Sequence, residues 1–429
     1  MAISTYNPTA DAPPAPDEKT IADAYMYLLG RVLVIRQEQN DLKEPGVSYN
    51  AIKYNPLGSA GFVNPNLDVA YAEAWIATDD DAAVLLEVPE ITGRYYTAQI
   101  LDEWGEVIVN INERQLSSRP FGTFALTKPG TSPQYPREAT RIDLHSSKAK
   151  LLARVELKDD PDVAVALQHR FILTPFGQPG IDPPPRVPAF GNRVLIGAEI
   201  FDDVDERLSS ALDVSPVAAA LQQKVRAVAE FAASSAEARA SIDELLRNTV
   251  IPELADFVAT KSVASRNNWL GGPSDIGRFG RNYRLRTAVN LVGIWGNTSD
   301  EVIYFLASRD ADGKPLDGGV SYVLHFPADQ LPSSVVDAYW SVILVSLPDY
   351  RVVPNPQNRF NFNSYSSLAS EADGSLKIGI GPKPVTGVPE SNWLPSAEGE
   401  PFSLTFRTYV PKAAVKSGKW FPPALARVR

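Results

Sequence analysis

Hydrophobic positions along this chain change their period twice. Ile21, Ala24, Tyr25, Leu28, Leu29 and Val32 recur at steps of three and four, which predicts one amphipathic helix packed on a first domain. From about Tyr54 the step becomes two. Apolar runs begin at Val84 (VLLEVP), Arg94 (RYYTAQIL), Glu106 (EVIVNI), Gly122 (GTFALT) and Lys150 (KLLARVEL), divided by turn pairs such as Asp-Asp, Pro-Glu and Pro-Gly. Strands at intervals of roughly 8 to 15 residues predict a sandwich or jelly roll, not a parallel sheet. The segment from Asp160 reads as a short helix, and a proline-rich passage ends the domain near Gly191.

The helical period then returns. Val217, Leu221, Val225, Val228 and Phe231 form one stripe, and Ser241 with Glu244 matches a capping box opening a second helix that Pro252 bends or divides. From about Asn282 the period is again two. In FSLTFRTYV, Phe402, Leu404, Phe406, Thr408 and Val410 oppose Ser403, Thr405, Arg407 and Tyr409, so one face is core and the other is solvent or a cleft wall. The expected fold class is therefore mainly β: two antiparallel β-sandwich or jelly-roll-like domains, 49–191 and 282–429, joined by an α-helical connector at 192–281. Residues 1–48 form a leader and the first helix.

Composition agrees with this division. At 429 residues the chain exceeds what one core usually serves. The 36 prolines fall mostly between apolar runs, where a missing N–H does least harm. A net charge of -10 with dispersed basic residues argues against nucleic acid as a partner. Zero cysteines remove disulfides, thiolate metal sites and a cysteine nucleophile. The N-terminal residues lack the basic and apolar regions of a secretory signal, and the run Leu28 to Ile35 is far shorter than the roughly 20 residues of a membrane span. A cytoplasmic protein without membrane contacts is expected, with homo-oligomerisation left open.

AYWSV, NPQNRF, DGSL, NWLP, FRTYVP and GKWFPP follow in fixed order from Ala338 to Pro423, after NPNLDVAY at Asn64 and GRYYTAQILDEW at Gly93. In that order the chain resembles the family pairing domain of unknown function 1254 with domain of unknown function 1214. Two local departures stand out. Val69 occupies the position of a family threonine, and LPSSVVDAYWS lacks the two prolines that usually precede the Phe-Trp-Ser of relatives.

Within these motifs, Asp68, Tyr71 and Tyr96 are the candidate catalytic groups: an aspartate for proton abstraction and tyrosines for proton donation. Asn66, Arg94, Gln99, Trp104, Arg359 and Arg407 are the candidate binding residues, because arginine holds carboxylates bidentately and tryptophan lines aromatic slots. The plainer alternative is that Asn66 and Asp68 build a turn and that Arg94 forms an internal ion pair. No metal site is expected, since His145, His169 and His325 lack ligand spacing, and DADG at Asp310 lacks the remaining ligands of a calcium loop. No Walker loop, dinucleotide fingerprint or Gly-x-Ser-x-Gly elbow occurs, so no cofactor is expected.

These residues imply a cofactor-independent enzyme acting on a small-molecule ligand by acid–base chemistry, whether hydrolysis, isomerisation or dehydration. A non-catalytic module binding small molecules or carbohydrate is the first alternative. A metal enzyme built on the three histidines is the second.

Overall fold

The computed structural model describes residues 13–58 and 64–428; most of the leader lies outside them. Nineteen strands among these residues form four sheets, stacked in pairs. In the first domain an inner sheet runs in the order Lys53–Tyr54, Val69–Ala77, Lys148–Glu156, Tyr96–Leu101, Val107–Ile111, and is antiparallel throughout. Its even-numbered side chains on Val69–Ala77 and Tyr96–Leu101 bury against an outer sheet of four strands built on Ala83–Val88 and Gly122–Thr127. Alternation along each strand thus makes one sandwich core.

The second domain repeats the plan. A six-stranded inner sheet carries Val302–Ala307, Phe402–Tyr409 and Trp340–Ser346 at its centre. It packs on an outer sheet that includes Tyr322–Phe326 and Leu376–Gly381. Only two strand pairs are parallel among the described residues, Gly122–Thr127 with Thr140–Asp143 and Leu376–Gly381 with Trp393–Pro395. The fold is mainly β, with the antiparallel sandwiches that the alternation implies.

The helices depart from the sequence reading in three places. Glu18–Asp41 is buried on every side from Tyr25 to Ile35, where apolar side chains lie on all faces and the one charge, Arg31, is paired with Glu103. It packs on the helices Ala218–Ser234 and Tyr283–Val292 as the centre of its own core, not as a cover for the first sandwich alone. The second departure is Tyr283–Val292 itself, a helix where a strand period was expected. Leu285, Ala288, Val289 and Val292 sit at helical spacing there, and Asn282 caps the helix by accepting from Leu285 N. Third, the helix that was to open at Ser241 starts instead at Ala236, capped by Ser235, and passes through a π-helical turn at Leu246–Val250 into Ile251–Thr260 without breaking at Pro252. The proline occupies a position whose missing N–H the π turn tolerates.

Glu18–Asp41 and Tyr283–Val292 cross closely. A Cβ on Gly30 would stand 2.7 Å from Thr287 Oγ1, so glycine permits the approach. Thr287 Oγ1 then donates to Met26 O at 2.6 Å and Asn290 Nδ2 to Gly30 O at 3.0 Å.

Candidate functional site

The outward faces of the two inner sheets meet each other. Val69, Tyr71, Trp75, Tyr95 and Leu152 of the first domain share a core with Val302, Tyr339 and Tyr409 of the second. Beside this contact lies a cavity of about 140 Å³, closed on one flank by the helices Ile251–Thr260 and Tyr283–Val292. Its walls differ sharply. Val258, Val263, Ile276, Leu285, Val289 and Val292 make an aliphatic end, and Asn66, Arg154, Tyr304, Thr405, Arg407 and Tyr409 make a polar end.

Strand register assembles the polar end twice over. Tyr71 is the cross-strand partner of Arg154 in the first inner sheet, and Tyr304 is the partner of Arg407 in the second. Each sheet therefore presents a phenol beside a guanidinium on its outward face. Arg154 lies 5.3 Å over the Tyr71 ring and donates through Nη1 to Gln99 Oε1 at 2.5 Å. Arg407 donates to Pro65 O at 3.2 Å and to Asn64 O at 2.5 Å.

The strand Lys148–Glu156 shows what is unusual about Arg154. Three of its cations share one buried face. Lys148 meets Glu38 and Lys150 meets Asp41 and Glu73, but Arg154 has no carboxylate partner among the described residues. Arg407 forms no ion pair there either, its hydrogen bonds going to Pro65 and Asn64, although the buried Asp68 carboxyl is near enough to feel its charge. Burial works against the charge of Arg154, while the phenols of Tyr71, Tyr95, Tyr304 and Tyr409 hold its pKa above the ordinary value.

Asp68 stands behind this end and does not line the cavity. Its Oδ1 accepts from Asn361 Nδ2 and Asn363 Nδ2, each at 2.6 Å, which ties the first domain to the edge strand Asn361–Asn363 of the second. Asp68 Oδ2 and Ser341 Oγ are buried without a hydrogen-bond partner among the described residues, although Ser341 lies close enough to favour the ionised carboxylate. Burial outweighs the asparagine amides, Ser341 and Arg407, and pushes the Asp68 carboxyl up. The turn expected from Asn-Pro-Asn is present as well: Asn66 Oδ1 accepts from Asp68 N at 2.8 Å. This fixes the Asn66 amide so that Nδ2 donates to Tyr409 OH at 2.7 Å and Tyr339 OH at 3.0 Å.

Of the residues singled out in the sequence, Asn66, Tyr71 and Arg407 line the cavity, Asp68 reaches it only through its backbone N–H on Asn66, and Gln99 reaches it through Arg154. The other four lie elsewhere. Arg94 forms no ion pair among the described residues and donates to Glu156 O at 2.8 Å. Tyr96 faces the first sandwich and donates to Pro120 O. Trp104 is buried in the helical core, with Nε1 on Ala211 O. Arg359 braces a loop through Glu390 O and Trp393 O. The histidines do not converge: His145 meets Asp102, His169 stacks on Tyr54 and His325 is exposed. Among the described residues no three His, Asp or Glu side chains group as a metal would require, and no helix is long and apolar enough to cross a membrane.

Arg154 and Tyr304 were not foreseen, and Thr405 and Tyr409 were placed on a possible cleft wall but not among the candidate site residues. Arg154 had a signal in sequence, since Lys148, Lys150 and Arg154 alternate with Ala149, Leu151, Ala153 and Val155, marking a charged face opposite a core face.

Comparison with known proteins agrees with this two-domain plan. No curated protein matches the chain. Among solved structures, the VPA0106 protein from Vibrio parahaemolyticus is 18% identical with a TM-score of 0.65, covering 96% of this chain and 100% of its own, which shows a shared fold. An uncharacterized protein from Burkholderia cenocepacia aligns over 97% of this chain and 91% of its own at 12% identity and a TM-score of 0.44. Residues 47–175 match the family described as Protein of unknown function (DUF1254), and residues 301–413 match Protein of unknown function (DUF1214). All six residues of the polar end fall inside these two segments and the aliphatic wall falls between them. The chain belongs to the family that pairs an N-terminal DUF1254 segment with a C-terminal DUF1214 segment.

Proposed function

We propose that this protein binds a small organic anion in the cavity between its two β domains. One observation carries the reading: Arg154 and Arg407 line a single cavity, buried, and neither forms an ion pair among the described residues, the carboxyl near Arg407, that of Asp68, being pushed toward its neutral form by burial. A buried charge without a counter-charge costs several kcal/mol, and a carboxylate arriving between the two guanidiniums would offset that cost. The aliphatic end supplies the remaining contact for an apolar body. Titration of the purified chain with a panel of small carboxylates, and with amines as controls, tests this. Binding by carboxylates, lost in Arg154→Met, is the expected result; a wild type that binds no member, or an Arg154→Met variant that binds as tightly, overturns it.

Acid–base catalysis at the same place is a second reading, favoured by Tyr409. Its hydroxyl oxygen accepts from Asn66, so the hydroxyl proton is directed away from that amide, and burial keeps the phenol protonated. On this reading Tyr409 is the proton donor. Asp68 does not line the cavity; its backbone N–H holds Asn66, and its carboxyl holds Asn361 and Asn363. Tyr409→Phe would stop turnover of a bound acid while only weakening its binding.

A further inference from the structure

We infer that the ligand is a short or single-ring carboxylic acid carrying no amino group. This rests on the proposed anion site and follows from which hydrogen-bonding groups are already engaged there. Arginine side chains only donate. Tyr409 OH accepts from Asn66 Nδ2 at 2.7 Å and Tyr304 OH accepts from Asn297 N at 3.1 Å, so each phenol turns its own hydrogen toward another acceptor. Asn66 has no atom to spare, with Oδ1 on Asp68 N and Nδ2 shared by two phenols. Two lining hydroxyls remain at that end: Tyr71 OH, which accepts from Arg154 Nε at 3.5 Å, and Thr405 Oγ1, buried without a partner among the described residues, which donates as readily as it accepts.

The polar end is therefore a set of donors. A headgroup that only accepts, such as a carboxylate with or without an adjoining carbonyl, satisfies it. An ammonium beside the carboxylate would bring a cation against two guanidiniums and donors against donors, so an amino acid of the same shape is rejected. Size narrows the class further. A cavity of about 140 Å³ compares with engineered apolar cavities of about 150 Å³ that take up benzene. That volume holds headgroup and body together, so the whole acid is a ring or a branched chain of about six carbons, its apolar body set against Leu285, Val289 and Val263.

Calorimetric titration of the full chain with isocaproate, α-ketoisocaproate, benzoate, leucine and decanoate tests the class. The first three should bind, leucine and decanoate at least about tenfold more weakly, and Tyr409→Phe should weaken isocaproate about five- to tenfold. Leucine or decanoate binding as tightly as isocaproate overturns the inference. If Arg154→Met still abolishes acid binding in that case, the anion site itself stands. Binding confined to a larger anion of the wider panel also sinks the class alone, whereas no anion binding at all sinks the site and the class together.

Discussion

The guanidinium of Arg114 closes on the carboxylate of Glu301, with Nε at 3.1 Å from Oε1 and Nη2 at 2.8 Å from Oε2. Arg114 follows the last strand of the first inner sheet, and Glu301 precedes the strand Val302–Ala307 of the second. Glu301 is fully buried, and Gln115 donates to the same carboxylate. Breaking such a pair from one side leaves a buried charge unmatched. Glu301→Ala should destabilise the protein by about 3 to 5 kcal/mol, read from the urea midpoint. Because the pair spans both domains, wild type should unfold in one transition; two separated transitions would refute the coupling.

Asp68 joins the domains by hydrogen bonds instead. Asp68→Ala removes the acceptor from two asparagine amides and should cost about 2 to 4 kcal/mol. Asp68→Asn keeps an acceptor oxygen for both and removes a charge that burial disfavours, so a loss below about 1 kcal/mol is expected. Equal losses in the two variants would show that the charge, not the acceptor, holds the loop.

The two cavity arginines should behave differently when removed. Arg154→Met should change stability by less than about 1 kcal/mol, since removing a buried cation without a carboxylate offsets the donor lost to Gln99 Oε1. Arg407→Met should cost about 1 to 3 kcal/mol, because Pro65 O and Asn64 O lose their donor. Thermal melts of both variants without added ligand decide this.

Stability should fall as pH rises from about 5 to about 8. Burial first, and Asp102 next, push the Glu106 carboxyl up to about 7. Glu103, fully buried, is pushed up to about 7 as well, by burial against the opposing pull of Arg31. A carboxyl raised above its unfolded value favours the fold in its protonated form. Its contribution is complete below the unfolded pKa near 4.5 and is lost as pH passes 7. Glu106→Gln should remove on the order of 1 to 3 kcal/mol of that decline, measured from urea midpoints across the range.

Gly271 lines the cavity in an extended pairing with Phe305. A Cβ there would stand 2.2 Å from Tyr304 O and 2.7 Å from Phe305 Cα. Backbone on both counts leaves little room to yield. Gly271→Ala should cost about 2 to 4 kcal/mol and displace Tyr304, weakening anion binding along with stability.

The limits of the sequence reading are physical and local. Alternation in FSLTFRTYV was readable, and its polar face, with Thr405, Arg407 and Tyr409, is indeed a cavity wall. Alternation also separates Tyr96 from Gln99 on their shared strand, since even and odd positions face opposite ways. Grouping both with Arg94 in one site overlooked that parity. Pairing between strands distant in sequence is a different matter. Nothing local in KAKLLARVEL tells that Lys148 and Lys150 find carboxylates while Arg154 does not, because Glu38 and Asp41 come from the first helix and Glu73 from another strand. The helix Tyr283–Val292 had a legible spacing, but Asn290 and Thr287 are polar on its buried side, where they bond the backbone of Glu18–Asp41. That blurs an apolar stripe.

The close crossing at Gly30 and Thr287 has a consequence for how the chain is made. Glu18–Asp41 leaves the ribosome long before Tyr283–Val292 exists. At roughly 5 to 20 residues per second, the interval of about 240 residues lasts on the order of 12 to 50 s. Throughout that time a helix with apolar side chains on every face lacks the partner whose Thr287 bonds Met26 O. The first sandwich can close on its own during the wait, because its sheets pair within 53–176. The helical core cannot. Nascent chains halted before Tyr283 should therefore bind holdase chaperones through Tyr25 to Ile35 and release them once Val292 has emerged.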